Sequence, residues 1–424
     1  MNPLLKAPWY YGWNIVAAGI AAQAIIVGIA LYSFTFWIAH WTEDFGVTRA
    51  QAMTAFMVLQ MASALFSPFA GRALDKFPIR YLMLISAASF AGALALSAIA
   101  SSFWQILAIY GVLMVVGMVL GGTIPAAALV ARWFDRRRGM AMGISTIGTS
   151  LGGLILPPVV AYLQLAFGWR DANLVLAVMS LATISLAALV VFNSPDEAGT
   201  MHEGAKNGAA GAIEVQRRPD WTTPDVLKSR PFWAIGISFL SLSFAFIAVQ
   251  QNLAPMGEDF GMNPSTISWF ISVMALVMIF SKLGFGYLAD RFQYKNVLTV
   301  VLMLIASSVA ILAFFEISEF TLLVAVIVLG TGMGGVLPLM GVIVADVFGP
   351  ASFGRMNGLL VLIMLPASLG AVVAASVYDM TGSYQWAWII LLLILAPAAL
   401  FIRGITNGTA MVRGAKEQKS GASF

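Results

Sequence analysis

The chain has 424 residues, of which 60% are hydrophobic and only 10% are charged, and its mean hydropathy is +0.90. A soluble domain of this length does not tolerate such a composition, so an integral membrane protein is predicted. The absence of cysteine excludes disulfide bonds and thiolate metal sites. The net charge of +4 does not indicate nucleic-acid binding, because the basic residues are confined to short loops.

Twelve apolar segments are long enough to cross about 30 Å of hydrocarbon as helices. We number them spans 1 to 12 and the connections loops 1 to 11; the limits are 12–39, 51–70, 80–100, 104–130, 139–165, 170–193, 232–255, 264–288, 296–315, 320–345, 356–378 and 384–402. The residues before span 1 lack a small-residue cleavage site, so no signal peptide is expected. The predicted fold class is an all-α membrane protein.

The distribution of charge predicts the orientation. Of 23 Lys and Arg, only Arg49 and Arg170 fall in odd-numbered loops, and Lys282 lies inside span 8. The others lie in the tails and the even-numbered loops, so both termini are predicted to be cytoplasmic, in a plasma (inner) membrane. All 19 acidic residues can be assigned to loops or helix ends.

A polar, Gly-rich stretch of mixed charge at 194–230 is predicted to be a cytoplasmic linker of low order. It separates an N-terminal six-helix bundle at 1–193 from a C-terminal six-helix bundle at 231–403, and a cytoplasmic tail follows at 404–424.

The two halves repeat each other at a nearly constant offset. The clearest matches are Glu43–Gly46 with Glu258–Gly261, Asp75–Phe77 with Asp290–Phe292, Gly71 with Gly286, and Gly121–Gly122 with Gly334–Gly335. The first three pairs share a single offset along the chain, and the last pair is slightly closer. Six-helix repeats of this kind place a substrate site between the halves, near the middle of the bilayer.

Lys282 lies in the apolar run of span 8, eight residues before Asp290, which opens loop 8. Eight helical residues cover about 12 Å, which places the lysine nearer the middle of the bilayer than its surface. The alternative is that the long side chain reaches up to the headgroups. Because a charge at this depth is costly, Lys282 is the first candidate for a functional residue.

Other polar side chains at membrane depth are weaker candidates for a binding pocket: Tyr32, Gln250, Gln23, Thr123, Ser145, Thr149, Gln251 and Asn252. Tyr32 and Gln250 are favoured among them. Each also has a structural explanation, because hydroxyls and amides in membrane helices commonly bond to their own backbone or to a neighbouring helix. The sequence contains no nucleotide loop, metal cluster or nucleophile triad, so neither a cofactor nor an enzymatic activity is predicted.

Loop 2 reads GRALDKFPIR, and loop 8 repeats it as GYLADRFQYK. Both resemble the Gly-x-Leu-x-Asp-Arg/Lys-x-Gly-x-Arg/Lys loop of the major facilitator superfamily, with Pro78 where the family usually has glycine. The resemblance implies that these loops clamp the two halves together in an outward-facing state. It assigns that role to Gly71, Asp75, Lys76, Arg80, Asp290 and Arg291.

Three further segments resemble the monocarboxylate transporter and oxalate–formate antiporter branch of that superfamily: Tyr11–Trp13, Arg132–Gly143 and Gly168–Ala172. In that branch, span 8 carries an arginine four residues before a glycine, and the arginine binds the substrate carboxylate. Lys282 and Gly286 match this spacing, with lysine in place of arginine. Met278 stands where animal members have an aspartate.

The resemblance implies a secondary transporter of a small organic monoanion, since one buried positive charge matches one carboxylate. Proton symport and anion exchange both stay open. The alternatives are an exporter of amphipathic organic compounds and a non-transporting receptor or scaffold on the same fold. The expected partners are a small organic anion, protons in the case of symport, and the lipid bilayer; nucleic acid is not expected, and the chain is expected to act as a monomer.

Overall fold

A computed structural model describes residues 9–134, 138–195, 197–198, 223–348 and 353–405. The described part contains no β-strand, which confirms the all-α class. Its α-helices are α1 (Gly12–Val27), α2 (Trp37–Phe45), α3 (Arg49–Lys76), α4 (Ile79–Ala98), α5 (Phe103–Ile109), α6 (Val115–Gly121), α7 (Thr123–Trp133), α8 (Arg138–Val190), α9 (Thr223–Lys228), α10 (Arg230–Asp259), α11 (Pro264–Arg291), α12 (Tyr294–Phe314), α13 (Glu319–Phe348), α14 (Phe353–Met364), α15 (Leu369–Thr381) and α16 (Gln385–Gly404).

Eleven helical segments of the described chain are long and apolar enough to cross a membrane. One of them, Met140–Val190, has 51 residues and is interrupted at Gly168, whose φ of 77° and ψ of 161° are not helical. Since a single crossing needs about 20 residues, this segment holds spans 5 and 6. The structure therefore accommodates the twelve predicted spans.

Three spans of the described chain change helix type along their length, namely spans 1, 4 and 11. Span 1 passes from α1 into a π-helical turn at Gly28–Tyr32 and a 3₁₀ turn at Phe34–Phe36 before α2 begins. Span 11 is interrupted between α14 and α15 by a 3₁₀ turn at Leu365–Ser368, which contains Pro366. Proline lacks the N–H that a continuous helix needs, which accounts for the break in span 11. Single π-helical turns are frequent at functional sites, and the described chain has one in span 1 and another in span 4, at Tyr110–Met114 between α5 and α6.

The repeat is visible in how helices end. Gly46 ends α2 with φ 63°, and Gly261, its equivalent in the second half, follows α10 with φ 73°. Left-handed backbone of this kind favours glycine. Two residues beyond Gly46, Thr48 caps α3: its hydroxyl accepts from the Gln51 N–H, and the Gln51 side chain accepts from the Thr48 N–H.

The chain forms two compact units. Unit 1 comprises Met1–Gly211, Gln250–Leu276 and Ala371–Met380, and unit 2 comprises Ala212–Val249, Val277–Gly370 and Thr381–Phe424. Unit 1 therefore includes the ends of spans 7, 8 and 11 that adjoin loops 7 and 11. We call the ends adjoining odd-numbered loops the outer ends, following the predicted orientation. Most of the predicted linker and of the C-terminal tail lies outside the described residues.

Small residues in unit 1 let α1 and α8 pack closely. A Cβ placed on Gly28 would lie 2.7 Å from the Gly152 carbonyl oxygen, and one on Gly148 would lie 2.9 Å from the Ile20 backbone. At the other end of these helices, Tyr11 and Trp133 are buried and donate hydrogen bonds to the carbonyls of Val190 (2.8 Å) and Phe192 (2.9 Å). Tyr11 and Trp133 belong to the segments that resemble the monocarboxylate transporter branch, and their hydrogen bonds join spans 1, 4 and 6.

Unit 2 is built on the same principle. A Cβ on Gly332 would lie 2.8 Å from the Ile305 side chain, and one on Gly370 would lie 2.4 Å from the Phe244 carbonyl oxygen. The buried Ser308 hydroxyl donates to the Ala325 carbonyl at 2.7 Å. Close helix approach and hydroxyl-to-carbonyl bonds are the usual sources of cohesion between membrane helices.

Candidate functional site

Lys282 lies in α11, nine residues before that helix ends at Arg291, and its side chain is half-buried within unit 2. Its backbone is held against α13. A Cβ on Gly334 would lie 2.5 Å from Ser281 Cβ and 3.3 Å from the Lys282 backbone nitrogen. The glycine pair recognised as a repeat of Gly121–Gly122 therefore provides the close contact that positions the lysine.

Gln23 and Ser145, both candidates from sequence, are bonded to each other within unit 1. The Gln23 amide, 1% exposed, donates to the carbonyl (3.1 Å) and hydroxyl (3.3 Å) of Ser145 and to the Gly19 carbonyl (3.2 Å). These bonds join α1 to α8, so the structural explanation accounts for both residues.

Tyr32 ends the π-helical turn of span 1, and its side chain is buried. A Cβ on Gly153 would lie 2.7 Å from the Tyr32 ring and 2.9 Å from Ala275 Cβ. The tyrosine ring thus lies in a narrow space that exists because α8 has glycine there. Tyr32 stays a candidate for ligand contact.

The two threonine candidates are placed differently. Thr149 in α8 donates its hydroxyl to the Thr146 carbonyl at 2.9 Å, within its own helix. Thr123 begins α7 next to Gly122, and its side chain is exposed. Neither the Thr149 hydrogen bond nor the position of Thr123 points to a ligand, and both residues remain weaker candidates.

The amides of α10 are buried, and the structure distinguishes neighbours that the sequence could not. Gln250 is 4% exposed. Gln251, 1% exposed, donates through Nε2 to the Leu31 carbonyl (3.0 Å) next to Tyr32, while its Oε1 has no hydrogen-bond partner among the described residues. Asn252 donates to the Ala371 carbonyl at 3.1 Å. A buried acceptor without a partner is costly, which makes Gln251 a stronger candidate than Gln250.

The predicted clamp loops are exposed in the structure. Asp75 and Lys76 are exposed and Arg80 is half-buried. In the second copy, Arg291 lies over the Tyr287 ring at 4.5 Å, and the side chain of Asp290 lies outside what the structure describes.

The glycines of these loops are not points of close helix approach in the structure. A Cβ on Gly71 or Gly286 would meet no described atom within 4 Å. In this conformation, neither glycine is a point of close packing. The clamp role assigned by the resemblance stays a prediction.

A charged cluster lies instead at the outer ends, within unit 1. The Arg49 guanidinium forms a two-pronged pair with Asp259, at 2.5 and 2.6 Å, and lies 4.2 Å from the centre of the Tyr378 ring. Asp379 accepts from the Ala50 N–H at 2.8 Å. We call Arg49, Asp259, Tyr378 and Asp379 the outer cluster. In the sequence, Arg49 stands out only as an exception in the charge distribution.

The sequence pattern of the Major Facilitator Superfamily matches residues 20–256 and 251–421. Human monocarboxylate transporter 12 is 23% identical over 90% of this chain and 77% of its own. The oxalate:formate antiporter of Oxalobacter formigenes is 24% identical over 88% of this chain and 86% of its own.

Solved structures of transporters are similar over nearly the whole chain. One of them is that of a bacterial homologue of the human lysosomal transporter Spinster, in an inward-facing and occupied conformation. The TM-score is 0.73 at 15% sequence identity, and the match covers 94% of this chain and 97% of the other. This likeness confirms the twelve-helix fold, and the relatives named above are transporters rather than enzymes.

Proposed function

Because this chain belongs to the Major Facilitator Superfamily and is a transporter by that membership, we propose that it carries a small organic monoanion, with Lys282 binding the carboxylate. The relatives named for monocarboxylate and for oxalate and formate support an anionic substrate. The remaining question is which charge in this chain would bind the anion.

The position of Lys282 is the observation that carries the proposal. It is the one Lys or Arg predicted inside a span, and its side chain is half-buried on a helix whose backbone is fixed by Gly334. A cation at this depth costs a few kcal/mol, so its presence there indicates a function. An anion that reaches it would gain a charge-assisted hydrogen bond.

The choice of lysine has a consequence for coupling. Arginine stays protonated, whereas lysine can release its proton when buried. A carrier with lysine can therefore return empty and neutral, which is symport of a proton with the anion. A lysine that keeps its charge restricts the empty carrier and favours exchange of one anion for another. Proton symport and anion exchange are the two couplings proposed.

The test uses radiolabelled short-chain monocarboxylates and proteoliposomes. Lys282→Gln is expected to abolish saturable uptake, and Lys282→Arg to keep part of it, because arginine retains the charge. Lys295→Gln, at the start of α12, is the matched control and should transport normally. Full uptake by Lys282→Gln would refute both the anion and the site.

The same liposomes separate the two couplings. Symport predicts uptake into liposomes without internal anion, accelerated by an inward proton gradient. Exchange predicts uptake only after an anion has been loaded inside. A panel of hydrophobic organic compounds in the same assay tests the alternative of an amphipathic exporter.

We propose further that both termini are cytoplasmic and that the chain acts as a monomer whose halves, 1–193 and 231–403, move against each other. The basic residues of the even-numbered loops support the orientation. In this cysteine-free chain, Gly204→Cys should resist an impermeant maleimide added to intact cells. Labelling from outside would reverse the orientation.

A further inference from the structure

Asp44 and Asp259 are equivalent positions of the repeat, but they bind different partners. Asp44 accepts from Trp169 Nε1 at 3.0 Å and pairs with Arg170 at 3.2 Å. Both partners lie where loop 5 meets span 6, so the contact stays within the first half. Asp259 pairs with Arg49, which lies in the other half of the sequence.

The repeat explains why Asp259 has this partner. The residue equivalent to Arg170 is Gln385, which donates to the Ala313 carbonyl (3.1 Å) as Arg170 donates to the equivalent Ala98 carbonyl (2.9 Å). Glutamine keeps this backbone bond and lacks the charge. The odd-numbered loops of the second half contain no Lys or Arg at all. Asp259 therefore depends on the first half for a cation.

Arg49 is equally dependent on Asp259 and its neighbours. It is the first residue of α3, where the helix dipole disfavours a positive charge. The carboxylates of Asp259 and Asp379 oppose that effect, and the Tyr378 ring covers the guanidinium. The Arg49 and Asp259 side chains are only 20% and 26% exposed, against 40% and 36% for Arg170 and Asp44. Lower exposure weakens screening by solvent and strengthens the pair.

We propose that the outer cluster is a latch that holds the outer ends of spans 2, 7 and 11 together, and that it forms because Gln385 stands where the first half has Arg170. Two neutral contacts lie in the same unit: Ala254 N–H donates to Thr35 Oγ1 at 3.1 Å, and Gln251 donates to the Leu31 carbonyl. Opening at this end separates span 7 from span 1 and breaks both. Opening also breaks the Arg49–Asp259 ion pair, and the free energy of opening therefore includes the loss of this electrostatic interaction.

A cysteine at Ala254 reports this opening. Ala254 is 1% exposed, and its hydrogen bond uses only the backbone, so Ala254→Cys leaves the contact in place. The protein is placed in lipid nanodiscs, which leave both faces accessible, and the rate of maleimide labelling is measured without substrate. Asp259→Asn in this background is expected to raise the rate about tenfold, as the loss of a charge-assisted bond predicts.

The matched control is Asp44→Asn, which removes the equivalent carboxylate where both partners belong to the first half. It should leave the labelling rate unchanged. Arg49→Asp should also label fast, and the exchanged pair Arg49→Asp with Asp259→Arg should label slowly again, which separates lost pairing from misfolding. The latch is refuted if Asp259→Asn labels at the original rate, if Asp44→Asn accelerates labelling equally, or if the exchanged pair labels as fast as Arg49→Asp.

The inference rests on the proposed function only in that a carrier must open at this end. Labelling requires no substrate, so it does not depend on which anion is carried or on Lys282. The two proposals can therefore be tested separately. Lys282→Gln should lose uptake while the labelling rate at Ala254→Cys stays unchanged. Asp259→Asn should label fast while binding of the anion stays intact.

Discussion

The two arginines of the odd-numbered loops perform different tasks on the same kind of aspartate. Arg170 donates to the carbonyls of Ala98 and Ala100 and pairs with Asp44, so it joins three segments of one half. Arg49 joins its own helix to segments from the other half. The two halves of the repeat therefore have the same aspartate, but its arginine partner comes from a different position in the sequence, and the aspartate joins different segments. The ion pairs of Arg170 and Arg49 have the same chemistry, and they differ in which segments they connect.

The largest effect on stability is expected from Arg170→Gln, which gives the first half the residue that the second half has. The variant loses an ion pair and at least one bond to a carbonyl, and we expect the free energy of unfolding to fall by about 1–3 kcal/mol. Thermal unfolding in detergent measures it. Arg49→Gln is the comparison and should lower the unfolding temperature less while accelerating Ala254→Cys labelling. Equal loss of stability in both variants would erase the distinction between the two arginines.

Arg49→Lys should weaken the outer cluster without abolishing it. Lysine keeps the charge and loses the two-pronged geometry with Asp259. We expect labelling at Ala254→Cys to accelerate several-fold, by about 1 kcal/mol, and to depend more strongly on salt than in the parent. Labelling as slow as in the parent would show that charge alone holds the contact.

Tyr378→Leu removes the ring over the Arg49 guanidinium and the hydroxyl that hydrogen-bonds with Asp259, and it keeps an apolar side chain. A cation–π contact at a partly exposed site contributes about 0.5–1 kcal/mol, so loss of the ring and of the hydrogen bond together should accelerate labelling by at least about two- to fivefold. Phe45→Leu provides the control, since Phe45 lies 5.9 Å from the Arg170 guanidinium within the first half. Acceleration by Phe45→Leu would place both rings in the same opening.

The smallest effect concerns His40, which lies near Asp44. Burial lowers its pKa from 6.5, and this outweighs the opposing influence of Asp44, Glu43 and a hydrogen bond with Gln164. The folded protein therefore binds a proton less readily than the unfolded chain. The resulting stability is present above about pH 6.5 and is lost as the pH falls through the folded pKa.

Thermal unfolding between pH 5 and 8, compared between the parent and His40→Gln, checks this expectation. The parent should lose slightly more stability on acidification than the variant. A parent that gains stability relative to the variant at low pH would show that the two carboxylates dominate over burial.

Much of the fold follows from sequence because the bilayer imposes simple rules. A helix of about 20 apolar residues is the minimum crossing, so the spans could be located, and the residues around Gly168 were placed correctly between spans 5 and 6. The constant offset between the halves pointed to equivalent positions before any contact was known. Neither rule reports which helix a polar side chain will meet.

The residues of the candidate site show which features the sequence predicts and which depend on packing. Sequence alone singled out Lys282, because a charged residue inside an apolar span can be recognised without knowing which residues surround it. It could not rank Gln250 against Gln251, since adjacent amides differ only in the direction they face, and only packing showed that Gln251 bonds to Leu31. It listed Gln23 and Ser145 as separate candidates, and the structure joined them.

Local composition and spacing along the chain were enough to establish the class of protein, its helices and its repeat, and to single out Lys282 as a candidate. The partners of the two equivalent aspartates required the folded structure: Asp259 pairs with Arg49, 210 residues away in sequence, while Asp44 stays within its own half. Ion pairs are set by distance in space over a few ångströms. Two identical sequence motifs can therefore acquire different partners, and composition does not record which.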